Sequence, residues 1–507
     1  MKTTKILLTL LCLFTLNSQV SQAQVNQTCT LLKDDIPVLA GGRVKPYYVL
    51  AKESIKFLTG KSSYNNEKPG LTFCRLLLQN YTETSINFPI LIEHVKTKAF
   101  LELNEDETTL GSQELLTKKE LIRSEIISLK ENNSYKKDLT KLFNRIATLE
   151  KIQTAQALTV YSKTDSANEW KSLSELNFSN LDLVNKAIEE SKSLYTKDHG
   201  DDYLLELTYV KSHIFSYALL VALVGIFLTV LMKNNTAGVV ASILALAMQI
   251  AGMIMRILIS GRAPITNMYE TVMFSGFGAL IIALCILYFK RDKIFLLAGL
   301  GYNILCLFMM MFANNMLNSS ISPLVPVLRD NFWLSTHVTT IILSYAALAL
   351  SWMVANITLF KMRLNKLTSK EYRYYQTLIY TCIKVGIVLL AAGIILGGVW
   401  ADYSWGRFWG WDPKETWSLI VLLFYMVIVH GRYSNWINTH RFIILSAAGF
   451  MTVMMAWFGV NYILASGLHS YGFSEGGAIF LGSFFAVQIA ILIFCGPKAN
   501  FKVNNND

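Results

Sequence analysis

The chain has 507 residues, of which 53% are hydrophobic and 16% charged. Soluble domains carry about 25% charged residues, so the composition excludes one large soluble enzyme and points to a membrane protein with a polar segment attached. The net charge of +11 is uneven: residues 24–210 hold 24 Lys/Arg against 26 Asp/Glu, and residues 211–507 hold 20 against 9. A basic excess in the apolar half reads as loop charge of a membrane protein, not as a nucleic-acid footprint. There are seven cysteines and no C-x-x-C. That spacing argues against a thioredoxin-like motif, a zinc ribbon or a c-type haem attached to this chain itself.

In chain order, residues 1–23 read as a secretory signal peptide. Lys2 and Lys5 form its basic start, Ile6 to Leu16 its apolar core, and Ser21-Gln22-Ala23 a small-x-small cleavage site. Residues 24–210 read as an exported, mostly helical segment. Gly41-Gly42 marks a turn before an amphipathic helical pattern. Residues 112–162 suggest a helical hairpin broken near Asn132-Asn133. Cys29 and Cys74 lie in this segment and are free to pair in an oxidising compartment. His94 and His199 are isolated, with surface or structural roles expected.

From residue 213 the apolar runs are long enough to cross a bilayer, which takes about 20 residues per helix. Nine are expected: 213–232, 237–259, 271–289, 294–313, 337–360, 377–399, 416–431, 441–464 and 477–496. The seventh is short, and its helix is expected to start inside the preceding loop. The expected fold class is therefore an all-α polytopic membrane protein with an exported N-terminal segment. With residue 210 outside, the inner connections carry 13 Lys/Arg and the outer ones five. That asymmetry agrees with an exported N-terminal segment. The expected location is the bacterial cytoplasmic (inner) membrane, with residues 24–210 and the loop 400–417 on its outer, periplasmic side.

That outer face gathers unusual residues. Between spans six and seven the chain places Trp400, Trp405, Trp409, Trp411 and Trp417 within 18 residues, interleaved with Gly406, Arg407, Gly410, Asp412, Pro413, Lys414 and Glu415. An interfacial aromatic belt accounts for one or two of these tryptophans. An aromatic shelf with fixed polar groups suits a large planar ligand, and the glycines let rings and backbone approach it. His337, after FWLST, and His469, in SGLHSYGF, fall at the same depth. Imidazole is a common axial ligand of haem iron. His430, in IVHGRY, lies near the inner end of span seven, either as a functional group or snorkelling to headgroups. Arg262, in GRAPITNMYE, is a candidate partner for a haem propionate or for a headgroup phosphate, and Arg407 is a second candidate. Arg256 and Lys384 fall within spans and must face protein or water.

WGRFWGWDPKETW closely resembles the WWD signature of membrane haem-handling proteins. With GRAPITNMYE, IVHGRY and SGLHSYGF in order, residues 211–507 resemble the CcsA family of system II cytochrome c biogenesis proteins. The resemblance implies that haem b, as transported ligand, is presented on the WWD loop (Trp400, Trp405, Gly406, Arg407, Trp409, Gly410, Trp411, Asp412). It implies His337 and His469 as axial ligands and His430 in an inner haem site. It implies a CcsB (ResB-like) partner, a thiol-reducing protein, and apocytochrome c whose C-x-x-C-H thiols receive the haem, as in a holocytochrome c synthase. Residues 42–60 resemble the linker before the CcsA part of fused CcsBA proteins. No CcsB-like half is read upstream, so a second inner-site histidine is expected from a separate CcsB, or the inner site is incomplete. Rival readings are a haem exporter or relay without ligation, a solute transporter with the Trp loop as a gate, and an envelope assembly scaffold. Transporters usually show internal repeats and polar binding residues near the midplane; no clear repeat is read here, and the polar set lies on the outer face, which counts against the transporter.

Overall fold

The computed structural model describes residues 25–30, 32–79, 86–130, 133–163, 168–176, 181–290, 292–313, 316–324, 330–464 and 476–496. Its chain divides into two compact units, one ending at Ser212 and one beginning at His213.

The first unit is mostly helical. The Gly41-Gly42 turn has positive φ at both residues, 62° and 78°, which suits glycine. It joins strand β1, Pro37–Ala40, to strand β2, Arg43–Pro46, as an antiparallel ribbon. Helix Tyr47–Thr59 follows and buries Tyr47, Leu50, Ile55 and Leu58 on one face. The helical hairpin is present as Lys119–Ser128 and Ser134–Gln153. Asn133 caps the second helix by accepting from the Lys136 amide at 3.0 Å. Two further ribbons, Pro89–Leu91 with Thr109–Gly111 and Thr159–Lys163 with Asn168–Ser172, lie in stretches where no strand was expected. Runs of three to five residues carry too little alternation to read as strands from sequence.

Ile55, Phe73, Ile90, Leu139, Ile146 and Val160 form one core with the Cys29–Cys74 disulfide. Both cysteines are buried, and the bond spans 45 residues. Loop-closure entropy for such a separation corresponds to about 4 kcal/mol. The Cys29→Ser/Cys74→Ser double variant is therefore expected to make this unit melt lower and digest faster, read by limited proteolysis against temperature. An unchanged digestion profile would show that the core holds without the bond.

Nine helices among the described residues are long and apolar enough to cross a membrane, eight of them wholly within the second unit. Spans one to four are Leu204–Val230, Asn235–Ser260, Met268–Lys290 and Lys293–Phe312. Spans five to nine are Asn331–Arg363, Ser369–Trp405, Pro413–Tyr433, Thr439–Leu464 and Gly477–Cys495. The protein is an all-α, multi-pass membrane protein. His213, with φ 47°, divides helix Leu204–Ser212 from helix Ile214–Val230.

Span five is the hub, packing on spans three, six and eight. Its stretch Ala346 to Leu350 is fully buried. Small residues there let neighbouring backbones come close, which substitutes for a hydrophobic drive in lipid. Two reciprocal amide pairs tie distant helices. Gln249 exchanges hydrogen bonds with Asn303, and Asn356 with Gln488, all at 3.0–3.3 Å. A lone amide in hydrocarbon is costly, so the pairs fix helix rotation.

The two intramembrane cations also find partners. Arg256, fully buried, pairs with Glu270 at the start of span three. The Lys384 ammonium lies 4.9 Å from the Tyr380 ring centroid.

Candidate functional site

Successive spans alternate in direction, so Ser260, Met268, Phe312, Asn331, Trp405, Pro413, Leu464 and Gly477 share one end of the bundle, here called the tryptophan end. Helix Ser369–Trp405 continues six residues beyond the expected end of span six, so Trp400 and Trp405 are helical and not in a loop. Nothing in ADYS breaks a helix. Gly406 does, with φ 66° and its amide bonded to the Asp402 carbonyl.

Six residues later Asp412 starts the next helix. It accepts from the Lys414 amide at 3.0 Å, while Glu415 accepts from the Gly410 and Asp412 amides at 2.8 and 3.1 Å. Pro413 at the first helical position and Glu415 complete a capping box. The D-P-K-E stretch is therefore a helix start, as the short seventh run implied.

The connection between them is tightly shaped. Arg407 lies over the Trp405 ring, 6.0 Å from its centroid, and 3.7 Å from the Glu415 carboxylate. A Cβ on Gly410 would collide with the Arg407 guanidinium. Trp409 and Trp411 meet edge to face at 5.9 Å. Trp411 adopts a left-handed conformation, φ 56°, and is 69% exposed. A non-glycine residue in that region stores about 1–2 kcal/mol of strain.

His337 sits in a π-helical turn, Leu334–Val338, near the start of span five. A second π segment, Met455–Leu464, ends span eight. Such wide turns rotate the side chains that follow and recur at functional sites. His337 is half-buried against Gly397, where a Cβ would come 2.6 Å from its ring. Its Nδ1 is 2.9 Å from the Gly393 carbonyl oxygen. A carbonyl only accepts, so Nδ1 carries a proton, and in the neutral ring the lone pair is on Nε2. The Trp400 ring lies 5.8 Å away at 62°.

His337 and Trp400 face a cavity of about 160 Å³ built by five spans. Span three gives Met268 and Thr271, span five Ile341 and Tyr345, and span six Gly397 and Gly398. Phe408 and Trp409 come from the connection, Lys414, Glu415 and Ser418 from span seven, and Ala456 and Trp457 from span eight. Whole small-molecule pockets run from about 300 to 1,000 Å³. This volume is too small to enclose a large planar ligand whole. The wall also holds a buried donor: the Trp400 Nε1–H has no acceptor among the described residues.

The five-tryptophan shelf is thus only partly assembled. Trp400 and Trp409 line the cavity; Trp405, Trp411 and Trp417 do not. Trp457 replaces them, its indole N–H bonded to Thr271 at 3.2 Å. Sequence reading missed Trp457 because one tryptophan inside an apolar run carries no signal.

Gly406 and Gly410 shape the connection and do not line the cavity. Asp412 acts as a helix cap. Arg262 donates to the Ser322 carbonyl at 2.5 Å and is not on the cavity wall. His430 is exposed on span seven, about 26 Å along the axis from Pro413, with Nδ1 2.8 Å from the Met426 carbonyl. His469, like the leader 1–23, lies outside the described residues.

Fold and site together define a polytopic helical membrane protein with a cavity of histidine, tryptophan and lysine at one end of its bundle. The cytochrome C assembly protein family matches residues 211–469, and the chain belongs to that family. It is 36% identical over 223 residues to the cytochrome c biogenesis protein CcsA of Chlamydomonas reinhardtii, covering 42% of this chain and 62% of that one. It is 35% identical over 232 residues to protein NrfI of Wolinella succinogenes, covering 44% and 25%. A CcsA of a Synechococcus species is 30% identical over 299 residues, covering 52% of this chain and 97% of that protein. The chain thus spans less than two thirds of the first two relatives and nearly all of the third.

Proposed function

We propose that this protein works in cytochrome c biogenesis as the haem-presenting component of a system II synthase. The observation that carries the reading is His337: a half-buried imidazole whose Nδ1 is committed to the Gly393 carbonyl, so that Nε2 is the metal-binding nitrogen, at a tryptophan-walled cavity. A backbone acceptor behind a ligating histidine fixes the ring and raises its basicity. Haem b is cargo here. His337 takes one axial position, His469 the other, and Trp400 and Trp409 hold the ring edge. The exposed, strained Trp411 faces the incoming partner.

Apocytochrome c brings the reactants. Each C-x-x-C-H thiol adds across a haem vinyl group: the S–C bond forms, the S–H bond breaks, and the proton ends on the other vinyl carbon. The step is redox-neutral at carbon and sulfur, so the thiols must arrive reduced, which is the task of a thiol-reducing partner. This chain supplies orientation, and the chemistry belongs to haem and thiolate.

His430, exposed near the opposite end of span seven, serves as an inner haem contact shared with a CcsB (ResB-like) membrane partner. The sidedness proposed is the inner membrane with the tryptophan end and residues 24–210 on the periplasmic face. Membrane lipid surrounds the spans.

The test is co-expression with a ResB-like partner and a C-x-x-C-H apocytochrome, followed by haem staining of denatured protein. Haem that stays on the cytochrome band after denaturation supports the synthase reading. Haem that reaches the far side without becoming covalent supports a relay. No haem with this protein at all returns the transporter.

A further inference from the structure

A second recess lies between spans one and two, in the half of the bundle away from the tryptophan end. It is a groove of about 640 Å³, within the range of ligand pockets, about 300 to 1,000 Å³. Span one lines it with Leu220, Val224 and Leu228, and span two with Thr236, Val240 and Leu244. The two helices meet through small residues. A Cβ on Gly225 would lie 3.2 Å from that of Ala241, and one on Gly238 would collide with Thr229. Bulkier side chains stand outward from that contact: Leu220 is 57% exposed and Val240 61%.

Two features bear on what the groove holds. The first is its length. Leu220 to Leu228, and Thr236 to Leu244, each rise about 12 Å along the helix. The hydrocarbon core is about 30 Å thick, so the groove covers one leaflet and stops. A helix of a partner would run the whole depth; an acyl chain ends there. The second feature is polarity. The wall is apolar except at its 231–236 end, where Asn234 and Thr236 line it. The Asn234 Oδ1 accepts from the Ala237 amide at 3.0 Å, which leaves its amide N–H groups for a ligand. Lys233 directly precedes Asn234 and is exposed, and the connection 231–234 holds no acidic residue. Span four, whose Leu296 meets the Gly238 position, begins at Lys293. The Asp292 carboxylate beside it is committed to the Ile294 amide at 2.9 Å. Chain packing discriminates little in a bilayer that is equally apolar. Selectivity must therefore come from the polar end, where a cation and neutral donors favour an anionic head.

We propose that this groove holds one acyl chain of an anionic phospholipid, with the headgroup phosphate at Lys233, Asn234 and Thr236. Lys233 supplies the charge; the Asn234 amide and the Thr236 hydroxyl supply directional hydrogen bonds. The site is separate from the tryptophan-end cavity and does not depend on the haem reading.

Native mass spectrometry of the full-length protein in mild detergent, with dioleoyl phosphatidylglycerol or dioleoyl phosphatidylcholine added, tests the site. The wild type is expected to retain one phosphatidylglycerol, about fivefold more than phosphatidylcholine. Val240→Trp, whose indole fills the groove, should lose that lipid. Ile243→Trp makes the same change on an exposed surface outside the groove wall and should keep it. Lys233→Gln should bring the two lipids to equal retention, and Lys233→Arg should keep the preference. Elution at the wild-type volume shows that a variant is folded.

A wild type that retains neither lipid, or both equally, overturns the proposal. So does a preference that survives Val240→Trp or Lys233→Gln, or one that is lost in Ile243→Trp as well. A dimer or a bound polypeptide that Val240→Trp dissociates overturns it too, because the groove then seats a helix.

Discussion

His337→Ala is expected to abolish most covalent haem attachment, by about 100-fold or more, and to weaken or shift the haem spectrum of the purified protein. The argument is geometric. The Gly393 carbonyl holds Nδ1 at 2.9 Å, so the ring is fixed with Nε2 as its only metal-binding nitrogen. Alanine leaves no ligand at that place, and no other described histidine lines the cavity.

A subtler variant separates ligation from folding. Gly397→Ala would set a methyl 2.6 Å from the His337 ring. The ring cannot yield without stretching its bond to Gly393. Perturbing the group that orients a metal ligand typically costs 10–100-fold, so Gly397→Ala should lower haem retention by about tenfold while keeping the protein in the membrane. Gly398→Ala, whose methyl meets the half-exposed Phe408 ring, is the control and should cost less. The measurement is haem per protein, with reduced visible spectra, for all three variants. Wild-type haem content and spectrum in His337→Ala would remove His337 from the ligand set.

The membrane architecture was legible because length and apolarity are physical requirements of a bilayer. Boundaries were less so. Span six ran on to Trp405 because Ala401, Asp402, Tyr403 and Ser404 tolerate a helix, and only Gly406 stops it. Asp412, Pro413 and Glu415 carried a clear start signal, yet inside an aromatic motif Asp412 read as a ligand contact. The site was legible in its histidine and its first tryptophan. It was illegible where it depends on helix rotation. Two π segments aim His337 and Trp457 at the cavity, and neither leaves a mark in composition. Arg262 was chosen for its charge and its depth, but its guanidinium is directed to the Ser322 carbonyl. Lys414 stood in the same motif as the tryptophans, and only the three-dimensional wall shows that it is the cation facing inward.

The Arg256–Glu270 pair supports a second strong expectation. Sequence demanded a partner for an arginine inside a span, and fourteen residues on, across the 261–267 connection, the chain supplies one. The two residues are 0% and 3% exposed. Arg256 Nε donates to Glu270 at 3.1 Å and its Nη1 to the Ser319 carbonyl at 3.0 Å. The other Glu270 oxygen accepts from the Thr266 amide and hydroxyl, each at 2.7 Å. One ion pair thus staples the 261–267 connection and the 316–324 stretch to the head of span three, where Met268 and Thr271 form cavity wall. Removing one partner strands a charge in a low-dielectric interior, which costs about 3–5 kcal/mol. Arg256→Met and Glu270→Leu should therefore each sharply reduce accumulation in the membrane and the temperature at which the detergent-solubilised protein aggregates. The double variant should regain much of that stability, because no charge is left unpaired. It should not regain haem retention, because Ser319 and Thr266 have lost their anchor and the wall at Met268 loosens. Stability read by size-exclusion after heating, beside haem per protein, separates the two effects. Single variants as stable as the wild type would show that the pair is not what holds this end of the bundle. A double variant that recovers both properties would show that the pair stabilises without positioning the wall.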